Sequence, residues 1–135
     1  MNYEQARAYA VNVSRSGSIL GLDSIENLMH ELVDIQEQLK IIHIAGTNGK
    51  GSTGAYLERV LIEAGYRVGR YSSPAVFDPM EVWRINLQSM SHEEYADIME
   101  QVKCACDRMV EKGMEHPTIF EVETAMAFLY FYQKK

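Results

Sequence analysis

Apolar residues along the chain recur mainly at the spacing of amphipathic helices, every three to four positions. This spacing places them on one helix face, which a globular protein buries. Gly65 and Gly113 follow two such segments, at the position where a glycine commonly ends a helix. The predicted helices cover residues 3–13, 24–39, 55–64, 92–112 and 119–132.

Helix starts are indicated by pairs of residues with capping-box spacing. In a capping box, the first side chain and the one three positions later bond each other's backbone N–H groups. The pairs are Asp23 with Glu26, Ser91 with Glu94, and Thr118 with Glu121. They support the predicted starts of the second, fourth and fifth helices.

Strand patterns are short and few. Residues 41–45 are apolar and β-branched, which predicts a buried strand, and 66–72 form a second short strand candidate. Strand, glycine loop, helix and strand make a βαβ unit, so these two strands should be parallel with a right-handed crossover. Alternating residues within 81–87 predict a further strand. The expected fold is α/β, a parallel sheet flanked by helices.

Composition narrows the class of protein. The chain has 135 residues, 47% of them hydrophobic and 24% charged, with a net charge of −6. Those values fit one soluble globular domain and argue against a nucleic-acid binder, which usually has a basic face. No apolar run is long enough for a membrane span, and we see no signal peptide. Cys104 and Cys106 are expected to be buried or half-buried free thiols, which suits a cytoplasmic location.

The stretch IIHIAGTNGKGST, residues 41–53, carries the candidate chemistry. Glycines between a strand and a helix allow a tight turn, and the helix N-terminus offers free N–H groups to an anion. Lys50 adds a full positive charge, so the stretch predicts a phosphate-binding loop. It departs from the strict G-x-x-x-x-G-K-[ST] pattern, since Ile44 replaces the first glycine and Gly51 separates Lys50 from Ser52. The alternative is a glycine-rich turn with an exposed lysine.

The loop GTNGKGS resembles that of the folylpolyglutamate synthase/dihydrofolate synthase family, within the Mur ligase group of ATP-dependent amide-forming enzymes. Other segments are similar to the family's in the same order. They are ILGLDSI (19–25), GYRVGRYSSPAVF (65–77), EVWRINLQSMSHEEY (81–95) and PTIFEVETAMAFLYF (117–131). Departures are Ala75, where the family usually has histidine, and Val82, where it usually has arginine. They concern the folate contacts rather than the phosphate loop.

The resemblance implies an ATP-dependent ligase that adds L-glutamate to folate or dihydropteroate through an acyl phosphate, with ATP and Mg²⁺ as cofactors. Lys50 would be the catalytic residue of the loop. The triphosphate would be bound by Thr47, Asn48, Gly49, Lys50, Gly51 and Ser52. Ser73 is the preferred metal ligand, with Ser52 as a second. The folate side would be lined by Ile19, Leu20, Gly21, Leu22, Thr118, Ile119, Phe120 and Glu121.

Each implied role has a structural alternative. Ser52 is also placed to cap its helix, and Ser73 to stabilise a turn before Pro74. Residues 19–22 are equally consistent with an ordinary loop, and Thr118 with Glu121 is already explained as a capping box.

Family members continue beyond the matched segments, into a metal-binding glutamate, a carbamylated lysine, a metal-binding histidine and a C-terminal domain. We therefore expect 1–135 to be the N-terminal segment of an ATP-binding domain, inactive by itself, from a monomeric parent. Self-association of the isolated segment stays open. So do two other functions: another P-loop NTPase or small-molecule kinase, and a non-catalytic nucleotide-binding fragment.

Overall fold

The computed structural model describes residues 1–15, 21–46, 48–73 and 77–134. Its contacts divide the chain into two compact units. The helical unit comprises Met1–Leu39 and His92–Lys134, and the loop unit comprises Lys40–Ser91. In chain order the elements are α1 (Tyr3–Ser14), α2 (Asp23–Glu31), α3 (Lys50–Glu63), β1 (Gly69–Tyr71), β2 (Trp83–Ile85), β3 (Gln88–Ser89), α4 (His92–Glu111) and α5 (Ile119–Gln133).

The core of the helical unit is built on α4, which contacts α1, α2 and α5. The predicted stripe on α4 is confirmed from Tyr95 to Met109, whereas Val110 is 48% exposed. Helix α5 is buried over much of its length and begins with the predicted capping box. Thr118 N–H donates to Glu121 Oε1 at 2.9 Å, and Glu121 N–H donates to Thr118 Oγ1 at 3.4 Å. These two bonds give partners to backbone N–H groups that the helix itself leaves unpaired, and this stabilises the helix start.

The predicted helix over 24–39 is wrong beyond Glu31. Val33 and Asp34 have φ values of 61° and 50°, which end the α-helical hydrogen-bond ladder. A short 3₁₀ turn, Ile35–Gln38, then buries Ile35. The Asp23 cap is also wrong, because Leu22 is the N-cap and no side chain caps this helix. Asp23 still places a negative charge in the first turn, which the helix dipole favours.

The sheet of the loop unit has the order β1-β2-β3, and both pairings are antiparallel. The strand predicted over 81–87 is shorter in the structure, where β2 covers only Trp83–Ile85. The chain then turns at Asn86 and Leu87 and forms a hairpin with β3. Asn86 also extends the β1–β2 pairing. Its N–H donates to Val68 O and its Oδ1 accepts from Val68 N–H, both at 2.8 Å.

The predicted buried strand over 41–45 is wrong. These residues have no strand pairing, Ile41 and Ile42 are 55% and 62% exposed, and His43 is exposed rather than interior. A lone extended segment is not stable without a paired neighbour. In the described part of the chain, β1 pairs with β2, so the expected parallel βαβ pairing is absent. The coarser α/β prediction is confirmed, since helices accompany a small sheet.

Candidate phosphate-binding site

The glycine loop leads directly into α3. Gly49 is the N-cap of this helix and has φ +78°, a left-handed conformation that an L residue rarely adopts. The first helical hydrogen bond runs from Thr53 N–H to Gly49 O at 2.9 Å. Open space surrounds the position that a Cβ on Gly49 would occupy. The backbone therefore turns sharply at Gly49 and leaves room beside the helix end.

The start of α3 is suited to bind an anion. No side chain caps the helix, and its first turn contains no acidic residue. The N–H groups of the first turn have no partner within a helix and carry a partial positive charge. Lys50 is the first helical residue and is exposed, as are Asn48, Gly51 and Ser52. The loop thus combines backbone donors with a full cationic charge, while Thr47 lies outside the described residues.

A buried carboxylate connects α3 to the β1–β2 pair. Glu58 is 2% exposed, and its Oε1 accepts from Arg70 Nη1 at 3.2 Å and from Arg84 Nη2 at 3.1 Å. Arg70 and Arg84 are directly opposite in the antiparallel register. Two like charges at such positions repel each other. Glu58 offsets that repulsion and joins the helix to the sheet.

Arg70 also reaches the first turn of α3. Its Nη2 donates to the carbonyl oxygen of Gly51 at 3.0 Å. A Cβ on Gly54 would lie 3.2–3.4 Å from the guanidinium atoms of Arg70, tighter than ordinary contact. Gly51, Gly54 and Glu58 share one face of α3, because they are three and four residues apart. The missing side chain of Gly54 lets the planar cation lie along the helix backbone, where it reaches the carbonyl of Gly51.

The predicted metal ligands are both accessible. Ser73 is exposed and follows β1, where Ser72 N–H donates to Val82 O at 3.1 Å. Ser52 is exposed in the first turn of α3 and makes no capping hydrogen bond. Within the residues that the structure describes, no group of three or more His, Cys, Asp or Glu side chains is placed to hold a metal.

The predicted folate-side residues that the structure describes belong to the helical unit. Ile19 and Leu20 lie outside the described residues, whereas Gly21 and Leu22 are exposed and Gly21 has φ +110°. The side chains of Thr118 and Glu121 are buried and bond each other, with Oγ1 donating to Oε1 at 3.1 Å. Ile119 is half-buried and Phe120 is 64% exposed. Of this second set, Phe120 has the side chain most accessible to a ligand.

The sequence reading missed Glu58, Arg70 and Arg84. One signal was available: Gly54 stands inside a helix, where glycine is unfavourable by about 1 kcal/mol relative to alanine. A glycine at such a position suggests close approach of another group, and the structure places Arg70 there.

Among the described helices, none is long and apolar enough to cross a membrane.

Comparison with known proteins identifies dihydrofolate synthases and folylpolyglutamate synthases as relatives. No family model matches the chain. The dihydrofolate synthase/folylpolyglutamate synthase of Bacillus subtilis is 36% identical over 129 residues, 96% of this chain and 30% of that protein. An FPGS–AMPPCP–folate complex matches with a TM-score of 0.89 and 32% identity, covering 99% of this chain and 33% of that chain. FPGS abbreviates folylpolyglutamate synthase.

A third relative was solved with ligands bound. The bifunctional folylpolyglutamate synthase/dihydrofolate synthase with Mn, AMPPNP and L-glutamate matches with a TM-score of 0.84 and 33% identity. The match covers 100% of this chain and 31% of that chain. The chain therefore spans about 30% of the length of these three relatives.

Proposed function

Because the chain belongs to the folylpolyglutamate synthase/dihydrofolate synthase family, we propose that it forms the phosphate-binding part of an ATP-dependent amide ligase. The observation that carries the proposal is the start of α3, where a left-handed Gly49 leads into an uncapped helix N-terminus beside the exposed Lys50. Relatives solved with AMPPCP or AMPPNP support ATP as the nucleotide.

The loop would act by positioning and by stabilising charge. Backbone N–H groups of Lys50, Gly51 and Ser52 would donate to phosphate oxygens, and the Lys50 ammonium would offset their negative charge. Charge that develops during phosphoryl transfer is spread over the transferred group, so fixed donors lower the barrier without moving a proton. Lys50 is therefore the residue most directly responsible for phosphate chemistry in this chain.

The reaction we propose has two chemical steps. A carboxylate oxygen of dihydropteroate or of a folyl glutamate attacks the γ-phosphorus of ATP, forming an acyl phosphate and releasing ADP. The amine of L-glutamate then attacks the acyl carbon, and phosphate leaves as the amide bond forms. Folate and L-glutamate appear with the relatives solved in complex, which supports these substrate classes.

Ser73 and Ser52 would hold Mg²⁺ together with the phosphates of ATP. Their hydroxyl oxygens are neutral hard ligands, and Mg²⁺ usually takes few protein ligands and keeps phosphate or water oxygens. Both hydroxyls are exposed, so they fit this role. When bound, Mg²⁺ would neutralise phosphate charge.

A chimera tests the proposal. The chain replaces the matched 129-residue segment of the Bacillus subtilis relative, and ADP formation is measured with and without folate substrate and L-glutamate. We expect ADP formation that requires both, and its loss in the Lys50→Ala chimera. The chain alone should form no ADP. A folded chimera that hydrolyses ATP without either substrate would instead support a plain NTPase.

A further inference from the structure

Arg70 makes two hydrogen bonds to α3 that lie on either side of Gly54. One goes to the backbone of Gly51 at 3.0 Å, and the other goes to the buried Glu58 carboxylate at 3.2 Å. The guanidinium is a rigid planar fork, so these two bonds fix its orientation along the helix. The Arg70 side chain is 18% exposed, so most of it is shielded from water.

The hydrogen bond from Arg70 to the Gly51 carbonyl acts on the helix turn that directly follows the glycine loop. Gly51 is the second residue of α3 and follows Lys50. Helix ends fray because their backbone groups lack partners, and glycines increase the conformational freedom lost on ordering. A donor fixed from β1 therefore restrains the turn that would have to hold phosphate.

The charge of the cluster has the sign that an anion requires. Arg70 and Arg84 share one oxygen of Glu58, so two cations are paired with one buried carboxylate. The surplus positive charge lies beside the first turn of α3. It adds to the positive end of the helix dipole.

From this geometry we infer that Arg70 is a positioning residue for the phosphate-binding loop. It holds the first turn of α3 in its ligand-binding shape through the carbonyl of Gly51, and Glu58 holds Arg70 in place. The inference deepens the proposed function and rests on it only for the identity of the ligand. The restraint of the first turn exists in the chain without nucleotide.

Amide hydrogen exchange of the full chain tests the restraint without nucleotide. In Arg70→Met, the amides of Thr53, Gly54 and Ala55 should exchange roughly tenfold faster, while those of the β1–β2 pair change less. Arg67→Met is the matched control, because Arg67 is exposed in the same unit. It should leave both sets unchanged. Arg70→Lys is a second variant, because lysine keeps a positive charge beside Glu58 but lacks the planar fork of the guanidinium.

Calorimetric titration with MgATP then tests the consequence. Arg70→Met should raise the Kd for MgATP roughly tenfold, and Arg67→Met should not. Unchanged exchange in the first turn, or equal acceleration throughout the loop unit, would overturn the positioning role. If the wild-type chain fails to bind MgATP while first-turn exchange still depends on Arg70, the proposed function fails and the positioning role stands.

Discussion

Leu87 occupies a backbone conformation that favours glycine. It is the second residue of the two-residue turn between β2 and β3, and its φ is 71° after 47° at Asn86. Turns of this type have positive φ at both positions and prefer Asn-Gly, because a Cβ strains the second position. We predict that Leu87→Gly stabilises the chain by about 1 kcal/mol.

Denaturant unfolding followed through Trp83, the single tryptophan of the chain, measures this effect next to the turn. Leu87→Ala is the control, because it removes the same 41%-exposed side chain but keeps the Cβ. Equal stabilisation by both substitutions would show that the exposed leucine side chain, rather than backbone strain, is unfavourable.

At the scale of single residues, the sequence was informative where one local rule decides the outcome. The Thr118–Glu121 capping box formed because both partners lie within one helical turn. Asp23 and Glu26 have the same spacing, yet α2 begins one residue earlier, with Leu22 as its N-cap. Arg70 was not predicted, since its partners are 12 and 19 residues away and local spacing carries no trace of them.

At the scale of elements, Glu58 joins α3 to the sheet. Its carboxylate is buried and pairs with two arginines through one oxygen. Removing one partner of a buried ion cluster leaves the other charges uncompensated, which typically costs about 3–5 kcal/mol. We predict that Glu58→Gln destabilises the loop unit by about 3 kcal/mol, measured by denaturant unfolding monitored at Trp83.

The matched control is Glu63→Gln on the same helix, whose ion pair with Arg59 is exposed. It should change stability by less than about 1 kcal/mol. Similar losses for both carboxylates would contradict the role of the buried cluster.

The strand expected over 41–45 shows why strands are harder to predict than helices. Helix α3 bonds within itself, so its pattern and glycine end predicted its C-terminal part, but the helix begins at Lys50 rather than at the predicted residue 55. A strand needs a neighbour distant in sequence, and in the described residues β1 pairs antiparallel with β2. The β-branched run indicates a preference for extended structure, but nothing in it specifies the partner.

At the scale of the whole molecule, alkaline pH should weaken the fold through Cys106. This thiol is fully buried, and burial raises its pKa from 9.0 to about 12. Between these values the unfolded chain releases a proton that the folded chain keeps. Stability therefore falls as pH rises above 9, by up to about 1.4 kcal/mol per pH unit from this group.

Urea unfolding at pH values from about 8 to about 11 measures how the free energy of unfolding changes with pH. The slope should be shallower in Cys106→Ala, whereas Cys104→Ala should keep it because Cys104 is exposed. Burial also raises the pKa of Tyr9, so part of the slope remains in both variants. Identical slopes in all three proteins would contradict the account.

The central claim is that the stretch GTNGKGS forms a phosphate-binding loop, and calorimetric titration with MgATP tests it most directly. The wild-type chain should bind, Lys50→Ala should lose at least about tenfold in affinity, and its melting temperature should be unchanged because Lys50 is exposed. Lys40→Ala, an exposed lysine of the same unit, should bind like the wild type. Equal affinity of Lys50→Ala and wild type, or no binding by either, would contradict the claim.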